Sequence, residues 1–171
     1  MLIFTAVRLK REEHQPVRNS ELTTDEVNYL RMIHLLVRVA CPVVRMYFDK
    51  EIQPDQLRKT LDKYRSEMVT RYRKKDTIIN DSQWSLLYGP YIGQKVTSND
   101  FDIRLMTYLL STLAHIEVGD VYPVYSNTSI HAMLSRIQLI SNETLRNFEG
   151  KLSGYKFNKN WDCIGQTDFL C

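Results

Sequence analysis

From Thr23 onward the apolar positions of the chain recur at helical spacing, and no stretch alternates as a strand does. Thr23-Thr24-Asp25-Glu26 has the form of a capping box and opens a first helix. Val27, Leu30, Ile33, Leu36, Val37, Ala40, Val43 and Val44 give that helix a wide apolar face. Pro42 is expected to kink or restart it, because proline removes an amide donor and crowds the preceding turn. Gln53-Pro54-Asp55 starts a second helix, with Leu57, Leu61, Tyr64, Met68 and Tyr72 on one side and charge on the others. This pattern predicts a single one-sided surface helix of about five turns. A long connection over 75–97 holds Trp84, Leu86, Leu87 and Tyr88, expected as a short helical plug.

Thr97-Ser98-Asn99-Asp100 reads as the cap of a third helix, whose stripe is Phe101, Leu105, Leu109, Leu113 and Ile116. After a loop containing Pro123, a fourth helix starts near Asn127 to Ser129. It carries Ile130, Met133, Leu134, Ile137, Ile140, Leu145 and Phe148. Phe157, Trp161 and Ile164 mark a last amphipathic piece. The pattern predicts an all-α fold, an antiparallel four- to five-helix bundle over 23–171, behind a poorly packed leader over 1–22.

A chain of 171 residues fits one domain with a substantial core, and 43% hydrophobic with 25% charged residues is ordinary for a globular domain. The net charge of +3 is too small to point to nucleic acid by itself. No apolar run approaches the roughly 18 residues of a membrane span, so no membrane partner is expected. The apolar start, Met1 to Val7, is followed rather than preceded by charge and makes a poor signal peptide. Cys41, Cys163 and Cys171 form neither a disulfide framework nor a zinc pattern, which places the chain in a reducing, intracellular compartment, the cytoplasm.

No phosphate loop, zinc-protease motif or nucleophile elbow is present, and no metal or cofactor is implied. Of the four histidines, His14 lies in the leader and His34 reads as a partly buried helix residue. His115 ends the third helix, and His131 opens the fourth, where it could pair with Asp120. The second helix carries Arg58, Lys59, Lys63, Arg65, Arg71, Arg73, Lys74 and Lys75. This is either an electrostatic footprint for RNA or an acidic partner, or a solvated face with acid-before-base pairs at Asp55–Lys59 and Glu67–Arg71. Tyr64 and Tyr72 fall on the apolar stripe, so no aromatic interleaving for base stacking is read there.

The order of landmarks carries a resemblance. Asn28-Tyr29-Leu30 leads a helix ending Pro42-Val43-Val44-Arg45-Met46-Tyr47-Phe48-Asp49. Gln83-Trp84-Ser85-Leu86-Leu87-Tyr88, Asp100-Phe101-Asp102-Ile103-Arg104-Leu105 and Lys156-Phe157-Asn158-Lys159-Asn160-Trp161 follow. Over roughly 26–168 the chain resembles the HEPN-type domain first defined in the DAZ-interacting zinc-finger RING ubiquitin ligase. Such domains recur in multidomain proteins of innate-immunity type. The resemblance implies an all-α bundle. In active members it also implies metal-independent RNA cleavage by an arginine, which holds the phosphate, and a histidine four to six residues later, which moves a proton.

Carried over position by position, the resemblance puts Ser141 where the arginine would stand, Asn142 at the polar position beside it, Glu143 at a frequent neighbour, and Asn147 where the histidine would stand. Ser141 has no guanidinium and Asn147 cannot act as a general base, so no catalytic residue is expected. Two classes of function stay open. One is a non-catalytic interaction module, a protein–protein scaffold or regulatory domain in ubiquitin or innate-immune signalling, with protein partners or self-association. The other is RNA or nucleotide binding through Arg58, Lys63, Arg65, Arg71, Arg73, Lys74 and Lys75. The chain ends ten residues past Trp161, where the resemblance implies further helix. A truncated domain would leave an apolar interface exposed at Phe157, Trp161 and Ile164.

Overall fold

A computed structural model describes residues 21–74, 79–89 and 95–165; residues 1–20 of the leader, Lys75 and Cys171 lie outside the described residues. Everything regular among them is helical. Helix α1 spans Thr24–Leu35 and is capped as the sequence predicts: the Thr23 hydroxyl accepts from the Glu26 amide, and the Glu26 carboxylate accepts from the Thr23 amide at 2.7 Å. A π turn, Leu36–Ala40, joins it to α2, Cys41–Glu51. The Cys41 amide reaches back five residues to the Leu36 carbonyl, and Pro42, which has no amide to give, follows at the start of α2. The proline is therefore absorbed by a widened turn, and Thr24–Glu51 runs on as one helical unit.

That unit corrects the reading of its apolar run. Its most apolar 18-residue window has a mean hydropathy of 1.4, long and apolar enough to cross a membrane by length and composition, although it is also a core helix of the bundle. Met32, Ala40, Val44 and Phe48 have no exposed surface. The buried stripe passes through Asn28, Met32, Leu35, Leu36, Ala40 and Val44, whereas Leu30 and Val37 are exposed. The wide apolar face thus contains a core stripe and, beside it, a surface stripe.

The second predicted helix is broken. Helix α3, Leu57–Lys63, and α4, Arg65–Arg73, meet at Tyr64, whose backbone leaves helical geometry. The Glu67–Arg71 pair forms at 2.8 Å, but Asp55 accepts from Gln56, and Arg58 pairs with Asp62. Helix α5, Asp81–Tyr88, is the predicted plug, with Asn80 and Gln83 forming a second capping box. Residues Ser98–Asp100 make only a 3-10 turn, and α6, Ile103–Leu113, is capped instead by Asp102, whose carboxylate accepts from Leu105 at 2.7 Å. The other oxygen of Asp102 accepts from Gln83 at 2.9 Å, tying α5 to α6.

Helix α7, Ile130–Leu145, begins at the Ser129 cap and stops before Phe148. Leu145 and Phe148 are exposed, not core. Helix α8 spans Gly154–Gly165. Helix α1 packs on α7 and α8, α2 on α6, α6 on α7, and α7 on α8, so α7 lies at the centre of the bundle. Phe48 of α2 meets Phe101 edge to face at 5.7 Å, which fixes the entry to α6.

Candidate functional site: a polar cleft between α6, α7 and α8

Helix α7 turns one stripe, Met133, Leu134, Ile137 and Ile140, into the core. Its other side supplies Gln138, Leu139, Asn142, Glu143 and Arg146 to a cleft of about 820 Å³. Arg104 of α6, Asp120 and Tyr122 of the following loop, and Lys156 and Asn160 of α8 complete the walls. The Lys156 ammonium pairs with the Glu143 carboxylate across the mouth, joining α7 to α8. Asn160 is 4% exposed, and its Nδ2 has no hydrogen-bond partner among the described residues; the same holds for the buried Nε of Arg104. The Tyr122 hydroxyl donates to the Cys163 sulfur at 3.2 Å, and burial together with that bond raises its pKa. Arg104, Arg146, Lys156 and the amides therefore offer donors to a ligand, and Asp120 and Glu143 offer acceptors.

The positions singled out by the resemblance separate here. Asn142 and Glu143 line the cleft. Ser141 is 4% exposed and lines a separate, smaller groove between α1, α6 and α7 with Asn142, Arg104 and Arg146. Asn147 reaches the rim, but its Nδ2 donates to the Lys151 carbonyl at 2.6 Å and its Oδ1 accepts from the Glu149 amide at 3.2 Å. Among the described residues lining the cleft there is no histidine. His34 is exposed, contrary to the expectation of partial burial, and lines a different groove. His115 sits just past α6 with a left-handed backbone, φ 57°, and its Nε2 lies 3.3 Å from the Tyr64 hydroxyl. The Nδ1 of His131 lies 3.2 Å from the Glu117 carbonyl, not beside Asp120.

The described basic residues of the predicted second helix lie on α3 and α4 and, for Lys74, at the C-terminal cap of α4, away from the cleft. Arg58 donates to the Leu87 carbonyl at 2.8 Å, Lys63 sits over the Tyr64 ring, and Arg71 is held by Glu67. Arg58 and Arg65 both lie over the ring of Tyr88, at 5.5 and 5.6 Å. Tyr72 stacks on Trp84 at 4.3 Å, and Trp84 touches Tyr88 at 4.8 Å. Aromatic and basic groups are thus interleaved here, which the helical wheel hid because Trp84 comes from α5. Of the three predicted interface residues, Phe157 and Trp161 line a groove with α1, whereas Ile164 is 1% exposed and belongs to the core.

A family model described as DZIP3/hRUL138-like HEPN matches residues 54–167. The chain belongs to that family. The HEPN match begins after α2, so the landmarks read in α1 and α2 lie outside it, while the Trp84, Phe101 and Trp161 blocks lie within it. No curated protein matches the chain, and no solved structure does.

The cleft's Arg104, Tyr122, Lys156 and Asn160 were not legible as site residues. They come from three separate parts of the chain, α6, the loop after it and α8, and carry no motif of their own. The Lys156 to Trp161 block was the nearest signal, since four-residue spacing puts Lys156 and Asn160 on one face of α8.

Proposed function

We propose that this HEPN domain is a non-catalytic interaction module that binds protein partners, as a scaffold or regulatory part in ubiquitin or innate-immune signalling. The observation that carries the reading is the use of the two motif positions. Ser141 is nearly buried and brings no cation to the site, and Asn147 is bound at both ends of its amide within its own turn. The neighbouring cleft supplies donors and carboxylates but no imidazole among its described lining residues. A proton shuttle at neutral pH is best made by a group titrating near neutrality, and an amide does not titrate there. Purified chain is expected to leave both structured and single-stranded RNA uncut. Cleavage that disappears with Asn142→Ala or Glu143→Ala would overturn the reading.

A second reading, RNA or nucleotide binding, is favoured by the Arg58–Arg65–Tyr88–Trp84–Tyr72 cluster. Stacked aromatics beside cations are the usual platform for single strands. Against it, Trp84 is covered by tyrosines and Tyr88 by arginines, so their faces are engaged within the chain. The test is salt-dependent RNA binding lost on charge reversal at Arg71, Arg73 and Lys74.

A further inference from the structure

Among the described residues, two surface features flank α1. One is a groove of about 770 Å³ between α1 and α8, walled by Leu22, Leu30, Val39, Phe157 and Trp161, with Arg31 and His34 at its polar edge. Leu30 is 52% exposed and Trp161 is 46% exposed. The other is Phe148, 96% exposed beyond the end of α7 and followed by exposed Glu149. The turn that presents Phe148 is braced: the Asn147 amide donates to Thr144, its side chain bridges Lys151 and Glu149, and Leu152 donates to the Asp25 carbonyl at 2.9 Å. A large aromatic presented on a braced turn is the form of an interface anchor, because little backbone ordering remains to be done on binding.

We infer that the α1/α8 groove of one copy receives Phe148 of a second copy, with Glu149 facing Arg31 and His34. This rests on the interaction-module reading and names its partner. The two halves match in shape, a knob and a concave apolar groove, and in charge, a carboxylate and a basic edge. A flat lipid surface would leave the floor of such a groove unfilled. The knob's turn lies against Tyr29 and Asn28: a Cβ on Gly150 would meet the Tyr29 ring at 3.9 Å, and Asn28 donates to the Leu152 carbonyl. At 3.6 residues per turn, Tyr29 points away from Val27, Arg31 and His34. Knob and groove of one copy therefore face different ways, and the contact is head-to-tail, adding copies in a ring or an open row.

Sedimentation of the full chain tests this. Mass is expected to grow with concentration. Phe148→Asp and Leu30→Asp, both at exposed positions, should each weaken association about tenfold or more while helical circular dichroism is unchanged. Mixing the two variants should give a 1:1 dimer that neither forms alone, because one keeps the groove and the other the knob. Arg31→Glu should weaken association, and adding Glu149→Arg to the same chain should restore it. A folded chain that stays monomeric at its highest soluble concentration would overturn the inference. So would assembly unaffected by both apolar variants, or a monomer that pellets with phosphatidylserine vesicles in a Leu30-dependent way. A monomer that leaves RNA uncut removes the self-association alone, whereas RNA cleavage removes the interaction-module reading whatever the mass.

Discussion

Arg136 of α7 holds the carbonyl of Asn127 at 2.7 Å, and the same nitrogen also donates to Val124 at 2.6 Å and Tyr125 at 3.1 Å. The side chain is 1% exposed and meets carbonyls rather than a carboxylate, while its Nε and Nη1 have no partner among the described residues. A buried cation thus gathers the loop before α7 with one of its three nitrogens. Arg136→Met removes three charge-assisted bonds but also relieves the unpartnered donors. The bonds outweigh that relief, and the expected loss is about 2 kcal/mol in urea unfolding. Because one nitrogen makes all three bonds, Arg136→Lys should retain part of the stability. Equal losses for Lys and Met would show that the planar group itself is required.

The helical class was legible because periodicity is local, and the caps at Thr23 and Ser129 are short-range devices that spacing reveals directly. Contacts between distant segments were not legible. Leu30 and Ile33 look equivalent to Leu35 on a hydrophobicity pattern, and only the position of α8 decides which side of α1 becomes core. Tyr64 breaks α3 from α4 although it sits at ideal helical spacing; its ring and hydroxyl meet His115 just past α6, a contact between distant segments that spacing does not carry. The Trp84 stack and the Asn160 wall of the cleft each join residues from separate helices. The motif positions were identifiable in sequence, but the hydrogen bonds of Asn147 to its own turn were not.

The capping box at Thr23 gives a pH signature. The backbone and side-chain bonds from Thr23 hold the Glu26 carboxyl below its ordinary value. Its folded pKa lies under the unfolded one, so the stabilisation is present above the unfolded pKa and is lost as pH falls through the folded pKa. Thr23→Ala should return the Glu26 pKa toward the ordinary carboxyl range in a carbon-detected NMR titration, and should weaken α1 by about 1 kcal/mol. An unchanged Glu26 titration in that variant would show that the box does not form in solution.

At the alkaline end, Tyr88 carries the opposite sign. Burial pushes its phenol up to about 12 from an ordinary 10, against the opposing pull of Arg58. Its hydroxyl donates to the Leu61 carbonyl at 2.8 Å, bonding α5 to α3. The folded state keeps this proton where the unfolded state loses it, so stability is full below the unfolded pKa and falls as pH rises toward the folded value. Tyr88→Phe should cost about 1 kcal/mol at neutral pH and should flatten the fall in stability measured by urea unfolding between pH 9 and 11. An unaltered alkaline slope would assign that loss to the other raised phenols, Tyr47, which burial and Glu51 push up to about 12, Tyr122 and Tyr72.

Asn142 and Asn147 should part company when each is changed to alanine. Asn142 lines the open cleft, and truncating it is expected to leave stability within about 0.5 kcal/mol. Asn147 closes the turn through both ends of its amide, so Asn147→Ala should cost about 1–2 kcal/mol. Hydrogen exchange should accelerate at the Glu149 amide and leave the Ile137 and Ile140 amides of α7 protected, which separates a loosened turn from a loosened helix. A structural asparagine here also explains why restoring an imidazole by Asn147→His alone should not create a nuclease. The ring would enter a turn that needs an acceptor for Glu149 and a donor for Lys151, and position 141, where the guanidinium would be needed, still holds a nearly buried serine. RNA cleavage by that single variant would mean that the cleft already supplies every other group the reaction needs.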